Sequence, residues 1–254
     1  MSLTEPLASP LASAQRFDRL DALRGLAVVW MAVFHFCFDL NQKGLLSPPQ
    51  QFLSDPFWTW QRTAIVSMFL LCAGMGQAVA LQAGQPWARF WRRWGQVAGG
   101  ALLVSAGSAW MFPQSWIHFG VLHGLAVMIL LLRLCWPLLR KLGLLGLLGL
   151  GVLALALPQW VAVEALNGRW GNWTGLVTRL PVTQDYVPVF PWLGLMLWGL
   201  ALGLYLQRQQ PQALAGPLPR WAHPLAVLGR WSLSFYMLHQ PILIGLIALA
   251  LACC

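Results

Sequence analysis

A chain of 254 residues that is 58% hydrophobic and only 9% charged cannot cover itself with a solvated surface, because a soluble domain carries about 25% charged residues. Composition therefore points to an integral membrane protein and excludes a soluble enzyme. The net charge of +9 does not argue for a nucleic-acid partner, since the cations sit at the ends of apolar runs, where membrane topology accounts for them.

The first fifteen residues, MSLTEPLASPLASAQ, contain Pro6 and Pro10 and no cation. A signal peptide needs a basic start and a short apolar core, so residues 1–15 read as a disordered tail ahead of one membrane domain over 16–254. A crossing helix needs about 20 apolar residues, and seven runs qualify: 21–41, 58–82, 93–112, 117–136, 140–161, 188–207 and 225–251. The fifth contains KLGLLGLLGLGVLALAL, whose glycines suit close approach of helix backbones in lipid. With the N-terminus in the cytoplasm, twelve of the sixteen Lys and Arg residues fall at inner ends and only Lys43, Arg62, Arg169 and Arg179 at outer ends. The positive-inside bias thus predicts an all-α polytopic bundle of about seven spans, N-in and C-out. The longest outer loop, 158–187, is rich in Trp, Asn, Gly and Thr. It reads either as an interfacial loop with Trp at the headgroups or as a lid over an acceptor site. None of the five cysteines (Cys37, Cys72, Cys135, Cys253, Cys254) has metal-type spacing. They read as small buried hydrophobes, and no metal is expected.

Ionisable groups inside spans are costly and usually serve a site. The first span carries Arg24, His35 and Asp39; His123 and His239 fall in the fourth and seventh. At 1.5 Å of rise per residue, His35, His123 and His239 all come out roughly 20 Å from the inner face, which predicts one shared polar cavity. His118 lies beside the fourth span, and His223 reads as an ordinary interfacial residue. His35 and Asp39 are four residues apart and share a helix face. A carboxylate beside an imidazole orients the ring and raises its basicity, so the pair suits a general base and its orienter. At the inner mouth of the third span, Arg89 and Arg92 form a fork suited to phosphate.

The stretches RLDALRGLAVVWMAVFHFCFDL, WIHFGVLHGLAVM (116–128), DYVPVFPWLGLMLWGLALG (185–203) and LGRWSLSFYMLHQPILI (228–244) together resemble the bacterial proteins related to the heparan-α-glucosaminide N-acetyltransferase catalytic domain, over about 16–246. That family is similar to the wider transmembrane acyltransferases, in which an arginine, ten residues and a histidine mark the first span. Arg24 and His35 keep that spacing, and Arg89 and Arg92 match the Arg-x-x-Arg pair typical near the third span. The resemblance implies His35 as catalytic base and Arg24, Arg89 and Arg92 as acyl-CoA-facing cations, with His123 and His239 inside family-like motifs. The lysosomal relatives place a key histidine in the lumenal loop after the first span. Residues 41–57 here contain none, which argues against an acetyl-histidine route through that loop.

The expected function is transfer of an acyl group, most simply acetyl, from cytoplasmic acyl-CoA to a carbohydrate or lipid-linked acceptor at the outer side of a bacterial inner membrane, by general-base catalysis. Acyl-CoA is a co-substrate, and membrane lipid is the surrounding partner. A proton-coupled transporter using the same histidines, or a non-catalytic membrane assembly protein, are the alternatives. The first would often show matching repeats with broken helices, which this sequence lacks.

Overall fold

The structure, a computed structural model, describes residues 17–253; the expected tail at 1–15 lies outside the described residues. Eight α-helices follow in chain order: α1 (Asp18–Gln42), α2 (Pro56–Gln82), α3 (Trp87–Met111), α4 (Val121–Trp160), α5 (Val189–Gln209), α6 (Gln212–Ala215), α7 (His223–Arg230) and α8 (Ser232–Ala252). Among the described residues five helices are long and apolar enough to cross a membrane: α1, α2, α4, α5 and α8. The protein is an all-α, multi-pass membrane protein. Leucines such as Leu102, Leu103 and Leu145, each more than half exposed, form the surface that lipid covers.

Local chemistry sets several helix ends. Asp55 caps α2, its carboxylate accepting from the Phe57 N–H at 2.8 Å, and Pro56 opens the first turn, where its missing N–H costs nothing. Asp18 and Asp21 lie in the first turn of α1, where negative charge meets the positive end of the helix dipole.

Three expected boundaries are corrected. α3 begins at Trp87 rather than 93, so Arg89 and Arg92 ride on the helix instead of preceding it. The fourth run starts at Val121 rather than 117, because 115–119 is tied into loop hydrogen bonds. The seventh run, 225–251, is divided at Trp231 into α7 and α8.

The fourth and fifth runs merge into α4, a 40-residue element interrupted at Gly143 (φ 66°, ψ −173°). That backbone region favours glycine, having no Cβ to clash. The chain reverses there. On the first rod Gly124 abuts the Val187 carbonyl, at the start of α5, and Leu139 and Leu204 line one cleft. On the second, the Leu148 carbonyl accepts from Trp198 and Gly151 packs on Gly194. One rod therefore runs with α5 and the other against it. The main core lies here, among Leu70, Met128, Leu132, Leu147, Met196, Leu197 and Leu200, all under 3% exposed. α2 meets α5 through Gly74, which would clash with the Met196 carbonyl if it carried a side chain, and Gly199, which would clash with that of Leu71. Small residues let backbones touch where no hydrophobic force drives helices together. Gly25 and Gly229 do the same between α1 and α7.

Candidate active site

His35 and His239 meet between α1 and α8, their ring centroids 5.1 Å apart. His239 is 8% exposed and its ring stacks on Phe235, 6.0 Å away and 7° from parallel. Its Nδ1 lies 2.8 Å from the Tyr236 carbonyl. A carbonyl only accepts, so Nδ1 holds the ring proton and Nε2 keeps the lone pair. That Nε2 is buried and has no partner. His35 is half-buried, with Phe34 edge-on at 5.8 Å.

Asp39 is buried at 4% exposure, but it does not hold the ring of His35 as expected. Both of its oxygens accept from Nε2 of Gln240, at 2.9 and 3.0 Å. The shared face of His35 and Asp39 is turned toward α8, and the amide one residue after His239 reaches the carboxylate. Asp39 therefore positions α8 against α1 beside the two rings. The spare oxygen of Gln240, Oε1, is buried without a partner.

His123 is held by other partners. Because α4 begins at Val121, His123 sits in the first helical turn rather than well inside a span. Its Nδ1 accepts from the Gly120 N–H at 3.3 Å, which leaves Nε2 to donate to Ser105 Oγ at 3.0 Å. Ser105 in turn donates to the Ile117 carbonyl at 2.7 Å. Both ring nitrogens are used in fastening the start of α4 to α3.

A pocket of about 350 Å³ opens beside His239, lined among others by Ala32, Leu228, Trp231, Phe235, Leu238 and Ile242. Its exposed walls are apolar throughout, and His239 borders it with its ring while Nε2 stays buried. A small acyl chain fits such walls better than a charged one.

The loop between α4 and α5 covers the end of the bundle to which α1 runs. It is stitched to the 112–120 segment by backbone bonds from Gln184 to Ser115 (2.9 Å) and from Val187 to Phe119 (3.2 Å). Asn172, 1% exposed, pairs with His118 at 3.0 Å, and Tyr186 donates to the Asn172 carbonyl at 2.6 Å. Burial pushes the Tyr186 phenol up to about 12. Asp185 accepts from the Val121 N–H at 2.7 Å, anchoring the loop to the positive end of α4. Dense surroundings push its carboxyl above the ordinary 3.8, against the downward pull of the Val121 and Tyr186 N–H groups and the charge of Arg62.

At the opposite end, the three candidate phosphate-binding cations differ. Arg24 is paired with Asp21 at 2.8 Å. Arg89 and Arg92 are exposed on the first turns of α3, and among the described residues neither has an acid partner. Arg133, which the sequence reading did not single out, closes the space behind them. It donates to the Gln85 carbonyl and lies over the rings of Trp87 (4.6 Å) and Phe90 (5.6 Å). Gly100 of α3 lies against Leu233 and Met237 of α8, which puts Arg92 about 15–20 Å along the bundle axis from His239. Gln240 was also missed. The signal was a polar residue directly after an intramembrane histidine, in LHQP, but nothing in the sequence named Asp39 as its partner. Among the described residues, no group of His, Cys, Asp and Glu is arranged to hold a metal. Of the cysteines read as buried, Cys72 is, whereas Cys135 and Cys253 are exposed and Cys37 is half-buried; Cys254 lies outside the described residues.

These features define a multi-pass membrane protein with a pair of histidine rings and a carboxylate–amide contact between α1 and α8, an ordered loop cap at one end and exposed arginines at the other. The chain belongs to the heparan-alpha-glucosaminide N-acetyltransferase catalytic family, whose model matches residues 16–241. No curated protein and no solved structure matches the chain.

Proposed function

We propose that the protein is a membrane acyltransferase that takes an acyl group, most simply acetyl, from cytoplasmic acyl-CoA and gives it to a hydroxyl or amine of a carbohydrate or lipid-linked acceptor at the far side of a bacterial inner membrane. In this reading the bundle crosses seven times, with the rods of α4 counting separately and α3 as a crossing despite its arginines. The N-terminus is inside. The observation that carries the proposal is the unpartnered, buried Nε2 of His239 on a ring 5.1 Å from that of His35, within a chain whose family is that of an N-acetyltransferase.

Arg89 and Arg92 take the phosphates of the nucleotide, since guanidinium forks match phosphate and these two have no acid to satisfy them. Arg24, already balanced by Asp21, shapes the mouth instead. The pantetheine arm runs along α3 toward α8 and brings the thioester to the histidine pair. The acceptor's oxygen or nitrogen attacks the thioester carbonyl as the pair takes its proton, the new ester or amide bond forms, and the carbon–sulfur bond breaks. The proton then passes to the departing thiolate. Buried neutral imidazole, with its tautomer fixed by the Tyr236 carbonyl, suits a base. Asp39 and Gln240 keep the two rings facing. His123 supports the site from a distance through Ser105.

The test is binding and transfer with purified protein and labelled acetyl-CoA. Arg89→Gln with Arg92→Gln should weaken acetyl-CoA binding at least tenfold while leaving the fold intact. Unchanged binding removes the arginines from the donor site. Failure of the unaltered protein to bind any acyl-CoA overturns the reading.

A further inference from the structure

Where the last turns of α2 and α5 meet the break in α4, a cleft of about 690 Å³ opens. Arg140, Lys141 and Arg208 stand on its rim, and Leu81, Leu139 and Leu147 make its floor. The three cations are exposed, and among the described residues none has an acid partner. No acid lines the cleft. Three like charges converging without a counter-charge repel one another, and an anion between them removes that repulsion.

The floor says which kind of anion. Leu144, which lines the cleft, and its neighbours Leu138, Leu142 and Leu145 are each 40% exposed or more, so the apolar floor adjoins a leucine-rich outer surface. A small soluble anion would satisfy the rim and leave the leucines in water. A nucleotide would hold its acyl group in the wrong place, since no residue of α1 or α8, and hence neither His35 nor His239, lines the cleft. Gly143 matters to the shape: its positive φ turns the chain without a side chain that would fill the wedge.

We propose that this cleft binds one anionic phospholipid, its phosphate held by Arg140, Lys141 and Arg208 and one of its chains laid over Leu139, Leu147 and Leu204. Basic pockets between membrane helices hold anionic head groups in this way. The site is independent of the catalytic reading, because it shares no residue with it.

Native mass spectrometry of the full chain in mild detergent tests this, with phosphatidylglycerol, phosphatidylcholine, inorganic phosphate and acetyl-CoA as probes. Phosphatidylglycerol should bind as a single adduct, and phosphatidylcholine should bind much more weakly. Each cation replaced by glutamine should cost about fivefold in retention, so R208Q alone gives a measurable loss and the triple variant about a hundredfold. Arg179→Gln, at the other end of the bundle, should change nothing. Equal retention of both lipids, or full retention by R208Q and the triple variant, overturns the site. Displacement of phosphatidylglycerol by micromolar inorganic phosphate or acetyl-CoA overturns the lipid as occupant and marks a site for soluble phosphoryl ligands.

Discussion

The two sides of the bundle are held together by different forces. α2, α4 and α5 touch backbone to backbone through Gly74, Gly199, Gly203, Gly151 and Gly194, and their core side chains are almost completely enclosed. α8 buries only His239 and Ile247 and is tied to α1 by one carboxylate–amide contact, a pair of rings and the packing of Tyr236 against the cluster of Met31 and Phe34. Close apolar packing makes a unique, stiff scaffold. The polar groups that could do chemistry lie on the looser side, where moving a helix disturbs few contacts. Stability and activity should therefore respond to different substitutions.

The largest effect should come from the rings. His239→Ala should cut acyl transfer by 10² to 10⁴, the usual contribution of a general base, with little change in melting temperature. His35→Ala should do the same if the rings act as a pair. Transfer at the normal rate in either variant removes that ring from the proton path. On the other side, Gly199→Val should leave any folded protein catalytically competent but reduce stability by about 1–3 kcal/mol, because the Leu71 backbone cannot move aside. A melting curve superimposable on the parent's would mean that the helices are not in contact there. Gln240→Leu should fall between the two classes. It strands the Asp39 carboxylate without its donor, at a cost of about 1–3 kcal/mol, and loosens α8 enough to lower transfer. Gln240→Asn, which keeps an amide, should recover part of both losses; if it recovers neither, the contact with Asp39 is not what Gln240 supplies.

The smallest effect should come from the loop. Folding raises the Asp185 carboxyl above 3.8, so the folded state favours the protonated form. Its contribution is present in full below 3.8, diminishes as pH rises from there, and is lost once pH passes the raised value. Asp185→Asn, uncharged at every pH, should flatten the fall in melting temperature over that acid-side window. An unchanged slope would assign the fall to other groups.

Much of the scaffold was legible because lipid imposes a simple rule of long apolar runs with cations at their ends. The nearness of His35 and His239, 5.1 Å between rings, agrees with a reading that joined their common depth to the rule that ionisable groups inside spans share a site. The start of the helix that carries His123 was misplaced, because the loop bonds of Ser115 and Phe119 delay it to Val121. The break at Trp231 follows Gly229 and Arg230, but it was missed because both flanking segments are helical and the apolar run continues through them. The Asp39–Gln240 contact spans 201 residues of sequence, a distance over which side-chain spacing on one helix carries no information.

Gly143 has a further consequence, for how the chain is threaded during synthesis. A continuous helix of 40 residues would be about 60 Å long, twice the thickness of the hydrocarbon core. One residue in a conformation that other amino acids avoid folds that rod back on itself as a hairpin. In the seven-crossing arrangement, the parity of everything after it depends on that turn. Were α4 to cross once, α5 would have to run the other way, and the cap carrying Asp185 and Tyr186 would be delivered to the face that holds the arginines.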